Sequence, residues 1–132
     1  MSEQTYSIGQ MCADFDVTPR TLRFYEYKEL LSPIREGQKR LFTNQCRGRL
    51  KLILRGKRFG FSLDEIKDLL DLYAIGDGQV TQLSATLDAA RKHHAELIAQ
   101  RDELNAAIHD MEEQMAQVRR MLDAKTAGKA AE

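Results

Sequence analysis

The sequence lacks the features that mark several large classes of protein. Its 132 residues include only two cysteines, Cys12 and Cys46, and neither belongs to a CxxC pair or lies at zinc-ligand spacing from a histidine. A disulfide framework, a metal site and an iron-sulfur cluster are therefore not expected. No apolar stretch approaches the roughly 20 residues that a membrane-spanning helix needs. The polar N-terminus also lacks the basic-then-apolar order of a signal peptide, so we expect a soluble, cytoplasmic protein.

Catalytic groups are missing as well. No nucleophile stands beside a general base in any recognisable motif, and no metal-binding or cofactor-binding constellation appears in the sequence. We therefore predict a protein that is not an enzyme and that carries no cofactor.

A net charge of zero conceals an uneven distribution of charge along the chain. Residues 1–70 contain thirteen lysines and arginines against nine acids, a net +4, while residues 71–132 contain seven against eleven, a net −4. Within residues 35–58, nine basic residues accompany a single acid, Glu36. Such a patch indicates binding to a polyanion, and the alternative is an ordinary solvated helix face.

Two short helices are predicted near the N-terminus. Residues 7–14 show the helical spacing of apolar side chains. Thr18 followed by Pro19 predicts a second helix over residues 19–27, because the hydroxyl can cap a free amide and proline at the first position loses no hydrogen bond. Helix, short turn and helix form the layout of a helix-turn-helix, whose second helix enters the major groove of DNA.

The next segment predicts a hairpin and a third helix. Residues 31–42 contain Pro33 and Gly37 between extended-type residues, which indicates a β-hairpin, or wing, with a basic tip. Thr43 can cap a third helix that ends near Gly60.

A fourth helix and a boundary follow. Ser62 and Glu65 have the spacing of a capping box, in which each side chain bonds the backbone amide of the other residue. Beyond this helix, residues 73–80, YAIGDGQV, contain two glycines and separate the basic half of the chain from a half with a different pattern.

Apolar residues then recur in alternating steps of four and three. Ten of twelve such positions, called the seam here, are apolar, and neither proline nor glycine interrupts them: Leu83, Leu87, Ala90, His94, Leu97, Arg101, Leu104, Ile108, Met111, Met115, Val118 and Leu122. This is a coiled-coil pattern. A helix of about 40 residues would be about 60 Å long. The rest of the chain is too small to cover it, so we expect a second copy as partner.

The polar seam positions permit two interpretations. His94, with His93 and His109, could sense pH or bind a metal. The alternative, which we favour because no cysteine or carboxylate cluster joins these histidines, is that His94 and Arg101 fix the register of the coiled coil at some cost in stability.

Four short segments occur in order between about residues 5 and 75: YSIGQM, DVTPRTLRFYE, LLSP and GFSLDEIKDLL. Together they resemble the DNA-binding domain of MerR-family transcription regulators. The resemblance implies a mainly α fold, a winged helix-turn-helix DNA-binding domain followed by a long dimerisation helix that forms an antiparallel coiled coil. Combined with the patterns above, it predicts a DNA-binding domain over 1–75, a linker over 76–80, a dimerisation helix over 81–125 and a disordered tail over 126–132.

The same resemblance implies DNA contacts on three elements. These are Thr18, Arg20, Thr21, Arg23 and Tyr25 on the second helix, Gln38, Lys39 and Arg40 on the wing, and Arg55 and Lys57 on the third helix. Arginine can bond guanine O6 and N7 or a phosphate, and the Tyr25 hydroxyl could donate to a phosphate. Alternatively, Phe24 and Tyr25 belong to the core.

The resemblance further implies function and partners. We expect a homodimer that binds a palindromic operator in double-stranded DNA and acts on RNA polymerase indirectly, through the promoter, in the bacterial nucleoid. The segment at residues 15–29 and the run RLKLILRGKRFGFSLDEI look closest to regulators of branched-chain amino acid and acyl-CoA catabolism. That likeness implies an acyl-CoA effector. The alternative function is a coiled-coil adaptor or a DNA-architectural protein without effector sensing.

Overall fold

The computed structural model describes residues 4–72, 76 and 79–131, and within them it contains five helices and one hairpin. In chain order these are α1 (Ile8–Phe15), α2 (Pro19–Tyr27), β1 (Ile34–Glu36), β2 (Lys39–Leu41), α3 (Asn44–Arg58), α4 (Leu63–Asp71) and α5 (Val80–Ala131). The expected mainly α, winged helix-turn-helix fold with a long C-terminal helix is confirmed.

Capping side chains fix the ends of α1 and α2. Ser7 and Gln10 form a capping box at the start of α1, and the Thr18 hydroxyl accepts a hydrogen bond from the Thr21 amide at the start of α2. The predicted bounds of α2 are confirmed. Helix α1 runs one residue past its predicted end, to Phe15, and stops because Asp16 adopts a left-handed conformation with φ of 54°.

The wing is a two-stranded antiparallel hairpin. Its register pairs Arg35 with Arg40, and Gly37 supplies the positive φ of 62° that the tight turn needs. Tyr6 and Phe42 exchange two backbone hydrogen bonds of 2.8 Å, which join the base of the wing to the start of the chain.

Helices α3 and α4 approach each other closely at a glycine. A Cβ atom added to Gly56 would lie 3.1 Å from Cδ1 and Cγ1 of Ile66 on α4. Gly60, with φ of 95°, lies in the short link between α3 and α4. The predicted capping box of Ser62 and Glu65 is present at the start of α4. The absence of a side chain at position 56 thus permits the packing that holds α4 in place.

A small core joins the wing and the first four helices. Its fully buried side chains come from α1, α2, α3 and the segments beside the wing: Met11, Leu22, Leu30, Leu31, Phe42, Leu50 and Ile53. Because apolar burial is the main stabilising contribution to folding, this core is what positions α2 and the wing relative to each other.

Helix α5 differs from its predicted bounds at both ends. It begins at Val80 rather than residue 81, and most of the predicted boundary segment 73–80 lies outside the described residues. It continues through residues 126–131, where a disordered tail was predicted. Three of those six residues are alanine, the strongest helix former.

The chain divides into two compact units, Met1–His93 and His94–Glu132. The first fourteen residues of α5 therefore belong with the first unit, whereas the sequence placed the boundary near residue 76. Ala89 and Ala90 pack against the core of this unit. Ala90, which was predicted as a seam position, is half-buried in this unit.

Candidate nucleic-acid interface

Helix α2 carries two arginines on its exposed side. Leu22 and Tyr25 are buried in the core, while Arg20 and Arg23 are exposed. The α-helical turn of 3.6 residues produces this division. Phe24 is 44% exposed, and the Lys28 amine lies 5.7 Å from the centre of its ring. The guanidinium groups are thus accessible to a ligand from the same face of the domain.

A surface groove of about 380 Å³ is lined by residues of both α2 and α3. The residues that line it are Arg20, Thr21, Phe24, Tyr25, Lys57 and Leu63. Four of these, Arg20, Thr21, Tyr25 and Lys57, were predicted from the sequence as DNA contacts. Two cationic side chains in one groove provide an attractive site for phosphate oxygens.

Tyr25 belongs to the core, which is one of the two roles that the sequence left open. Its side chain is only 7% exposed and belongs to the core cluster, and burial raises the pKa of its phenol above the ordinary value. The remaining exposed part lines the groove. Its ring therefore packs in the core and supports α2.

Thr18 and Thr21 are partly occupied by local hydrogen bonds. The Thr18 oxygen accepts from the Thr21 amide at 3.1 Å, and the two hydroxyls lie 2.9 Å apart. Thr18 thus acts first as the cap of α2, which orients the helix that carries the arginines.

The wing is held against α2 by a carboxylate that the sequence did not single out. Glu26 forms ion pairs with Arg35, at 3.2 Å, and with Arg40. Arg40 was predicted to contact DNA, but the structure engages its Nε with Glu26 and half-buries the side chain. Gln38 and Lys39, by contrast, are exposed near the wing tip. Glu26 could not be identified from the sequence because its partners lie 9 and 14 residues away.

The basic segment 35–58 is only partly available to a ligand. Arg47 pairs with Asp14 at 2.8 Å and lies over the ring of Tyr6, with 4.4 Å to its centre. Arg49 donates to the Leu30 carbonyl at 2.8 Å. Arg35 and Arg40 pair with Glu26, so four of the nine basic residues in this segment have partners within the protein. The exposed remainder is Lys39, Lys51, Arg55, Lys57 and Arg58.

Arg55 and Lys57 do not share a site. Lys57 lines the groove beside α2, whereas Arg55 lines an apolar pocket of about 280 Å³ between α3, α4 and the start of α5. Two residues apart on a helix differ by about 200° in direction. The predicted pair of phosphate contacts on α3 is therefore separated, and Lys57 alone joins the α2 surface.

Most seam positions are exposed in the single chain. Leu83, Leu87, Leu97, Leu104, Ile108, Met111, Met115, Val118 and Leu122 are each 43–67% exposed. Some charged side chains of α5 form local ion pairs, such as Arg119 with Asp123 at 3.2 Å.

Neither a metal site nor a membrane span is found in the part of the chain that the structure describes. No group of three or more histidine, cysteine, aspartate or glutamate side chains there could hold a metal ion. None of its helices has the length and apolar character that crossing a membrane requires.

The fold and the basic surface define a class of protein, a winged helix-turn-helix regulator with a long C-terminal helix. Two family models match the chain: "MerR HTH family regulatory protein" over residues 6–72 and "MerR, DNA binding" over residues 47–127. The chain belongs to the MerR family of DNA-binding transcription regulators. The matched families are regulators and not enzymes.

Individual relatives agree with this assignment. The HTH-type transcriptional regulator ZntR of Escherichia coli is 39% identical over 69 residues, which cover 51% of this chain and 49% of ZntR. The chain spans about half the length of the curated relatives it matches.

Solved structures agree as well. HiNmlR, a MerR family regulator lacking the sensor domain and bound to promoter DNA, has a TM-score of 0.61 and 27% identity, covering 74% of this chain and 75% of HiNmlR. A MerR family regulator from Bacillus cereus has a TM-score of 0.68 and 28% identity, covering 83% of this chain and 79% of that protein.

Proposed function

We propose that this chain is a homodimeric transcription regulator that binds a palindromic promoter sequence and distorts it. The observation that carries the proposal is the exposed pair Arg20 and Arg23 on α2, with Lys57 beside Arg20 in one groove. A helix of this kind fits the major groove, where arginine can bond guanine O6 and N7. The exposed Lys39 on the wing would add a contact to the flanking phosphates.

Dimerisation through α5 is the second part of the proposal. The seam side chains from Leu97 to Leu122 expose large apolar groups along one helix, and an unpartnered apolar stripe of this length is unfavourable in water. We place the two copies antiparallel, with facing residue numbers that sum to 205. Leu97 then faces Ile108 of the second copy, and His94 faces Met111.

A symmetric dimer would present two α2 helices to successive major grooves of a palindrome. Bending or twisting of the promoter between them would change how RNA polymerase uses it, without direct contact between the two proteins. The site of action would be the bacterial nucleoid, in the cytoplasm.

The most specific part of the proposal concerns the effector and the target genes. We propose that the effector is an acyl-CoA and that the genes serve branched-chain amino acid or acyl-CoA catabolism. It rests on the likeness of residues 15–29 to regulators of those pathways, and on the apolar pocket that Leu69, Leu70 and Leu83 help to line. Arg55 at this pocket could bind a phosphate of the effector. Isothermal calorimetry with acetyl-CoA, a branched acyl-CoA and free CoA tests this part, and heat that is identical for all three or absent contradicts it.

Electrophoretic mobility shifts with promoter fragments from the neighbourhood of the gene test the main proposal. We expect retention of a palindromic fragment in excess of a scrambled one, and a steep loss of affinity as salt rises, because phosphate contacts release condensed cations.

The alternative functions predict other results. A DNA-architectural protein would show the salt dependence without the preference for a palindrome. A coiled-coil adaptor would bind neither fragment. Either result would contradict the proposed function.

A further inference from the structure

Two of the three buried polar side chains in the described residues lie on the first part of α5. They are Gln82, 6% exposed, and His93, 8% exposed, and the third is the helix cap Thr43. Burial of a polar group is unfavourable unless it is hydrogen-bonded. Both residues on α5 meet that requirement through α4.

His93 is bound to the beginning of α4 by two kinds of contact. Its Nε2 lies 3.0 Å from Oε1 and 3.1 Å from Oε2 of Glu65. Its ring also stacks on Phe61, with 4.3 Å between ring centres and 26° between planes. The histidine is thus fixed both in position and in ring orientation.

The partners of His93 are themselves fixed. Glu65 Oε1 also accepts from the Ser62 amide at 3.1 Å, as part of the capping box of α4. The Phe61 amide donates to the Gly56 carbonyl on α3 at 2.9 Å. His93 is therefore attached to groups that move with α3 and α4, and not to a free surface side chain.

Gln82 forms a second attachment at the other end of α4. Its Nε2 donates to the Leu69 carbonyl at 3.0 Å. Gln82 and His93 are eleven residues apart, which on an α-helix is about 16 Å along the axis. A helix held at two such points cannot pivot on α4 without breaking one of the contacts.

We propose that His93, through Glu65 and Phe61, is a positioning residue that fixes the first turns of α5, up to His93, on α4, and so narrows the operator spacing that the dimer accepts. This inference rests on the proposed dimeric DNA binding. In that dimer α5 links the two domains, and each α2 reads one half-site. A change of one base pair in half-site spacing rotates one half-site by about 34° relative to the other. Only a fixed start of α5 would discriminate against such a change.

The test compares operators whose half-site spacing varies in steps of one base pair. Wild-type protein should bind one spacing best, and His93→Ala should reduce its preference over the neighbouring spacings by about tenfold, the effect expected from loss of a hydrogen bond to a charged group. The dependence of affinity on salt should keep its slope, because the phosphate contacts of α2 and the wing are unchanged. His109→Ala, at an exposed histidine on the same helix, is the matched control.

Two further variants separate positioning from folding. His93→Gln keeps a donor for Glu65 and His93→Phe keeps the ring stack, so each should restore part of the spacing preference. A melting temperature and a sedimentation coefficient for each variant establish that it is folded and dimeric. If His93→Ala proves unfolded, the comparison is made between His93→Gln, His93→Phe and wild type.

The outcomes distinguish this inference from the proposed function. Equal loss of affinity at every spacing, or an unchanged spacing profile in all three variants, would overturn the role of His93 while leaving DNA binding intact. If wild-type protein shows no preference for any palindrome, the proposed function fails and the inference fails with it.

Discussion

Arg23 and Tyr25 lie two positions apart on α2 and have opposite surroundings. Arg23 is exposed, whereas Tyr25 is 7% exposed and packs in the core. Because the helix turns by about 100° per residue, exposed and buried side chains can share one short segment. The separation predicts that mutations of the two residues will affect different properties, DNA binding for Arg23 and stability for Tyr25.

Arg23→Ala should weaken binding to the palindromic promoter by about 1–3 kcal/mol, the contribution of one bidentate base contact, and leave the dimer intact. Fluorescence anisotropy with a labelled operator measures the first effect and analytical ultracentrifugation the second. Lys125→Ala removes an exposed positive charge from α5 and should change operator affinity little. Similar losses for the two variants would argue against a base contact by Arg23.

Ionisation of Glu65 should make the free energy of unfolding depend on pH in the acid range. Its pKa is lowered from the ordinary 4.5, mainly by the Ser62 amide and then by the hydrogen bond with His93. A carboxyl group with a lowered pKa in the folded state stabilises it fully above the unfolded pKa, and the stabilisation is lost as pH falls through the folded pKa. Glu65→Gln should therefore be less stable than wild type at pH 6, and the difference should shrink below pH 4.5.

Urea denaturation of both proteins at a series of pH values measures this difference directly. If the difference between the urea midpoints of the two proteins stays constant as the pH falls from 6 to well below 4.5, an ionised Glu65 in the capping box is contradicted.

At the scale of elements, the contact between α3 and α4 depends on one glycine. Gly56 and Gly48 both lie within α3, yet a Cβ would meet Ile66 at 3.1 Å at position 56 and nothing within 4 Å at position 48. Ile66 is buried, only 4% exposed, so it has little freedom to move away. Helix propensity alone would make both glycines destabilising to α3.

Gly48→Ala should therefore stabilise the protein by about 0.5–1 kcal/mol, since alanine is the better helix former. Gly56→Ala gains the same helix propensity but crowds Ile66, and overpacking of this kind costs about 1–3 kcal/mol. We expect it to be neutral or destabilising. Thermal unfolding of the two variants provides the comparison, and equal stabilisation by both would show that α4 can yield at this contact.

At the scale of the whole molecule, the proposed dimer depends on the exposed seam of α5. Leu97→Asp combined with Ile108→Asp would set aspartates against one another in the antiparallel register. The variant should raise the dimer dissociation constant by about 100-fold or more, equivalent to about 2.8 kcal/mol. Sedimentation equilibrium measures it, with Ala99→Asp and Ala106→Asp, at exposed positions off the seam, as the control pair.

A disulfide between the two copies tests the register itself. Cysteines at 97 and 108, placed in different subunits, should cross-link in the register that sums to 205. Failure to cross-link would discard that register without discarding the dimer.

The elements that were predicted correctly depend on local chemistry. The start of α2 follows from Thr18 and Pro19, and the start of α4 from Ser62 and Glu65, because capping involves residues only three positions apart. The resemblance to the MerR family singled out Arg20 and Arg23 on α2, and the structure leaves both side chains exposed.

The parts that were missed depend on contacts between distant residues. Glu26 joins the wing to α2 across 9 and 14 residues, and His93 meets Glu65 across 28. No local pattern signals such a pair. The ion pair of Arg40 with Glu26 was missed for the same reason.

The rate at which individual methionines are oxidised can report contact between subunits. Met11 is fully buried in the core, while Met111, Met115 and Met121 are 55–67% exposed in the single chain. Dilute peroxide converts an accessible thioether to the sulfoxide. In a dimer, Met111 and Met115 should become protected as protein concentration rises, whereas Met121, off the seam, should continue to react. Mass spectrometry of peptides from one oxidised sample would thus report association without any label or mutation.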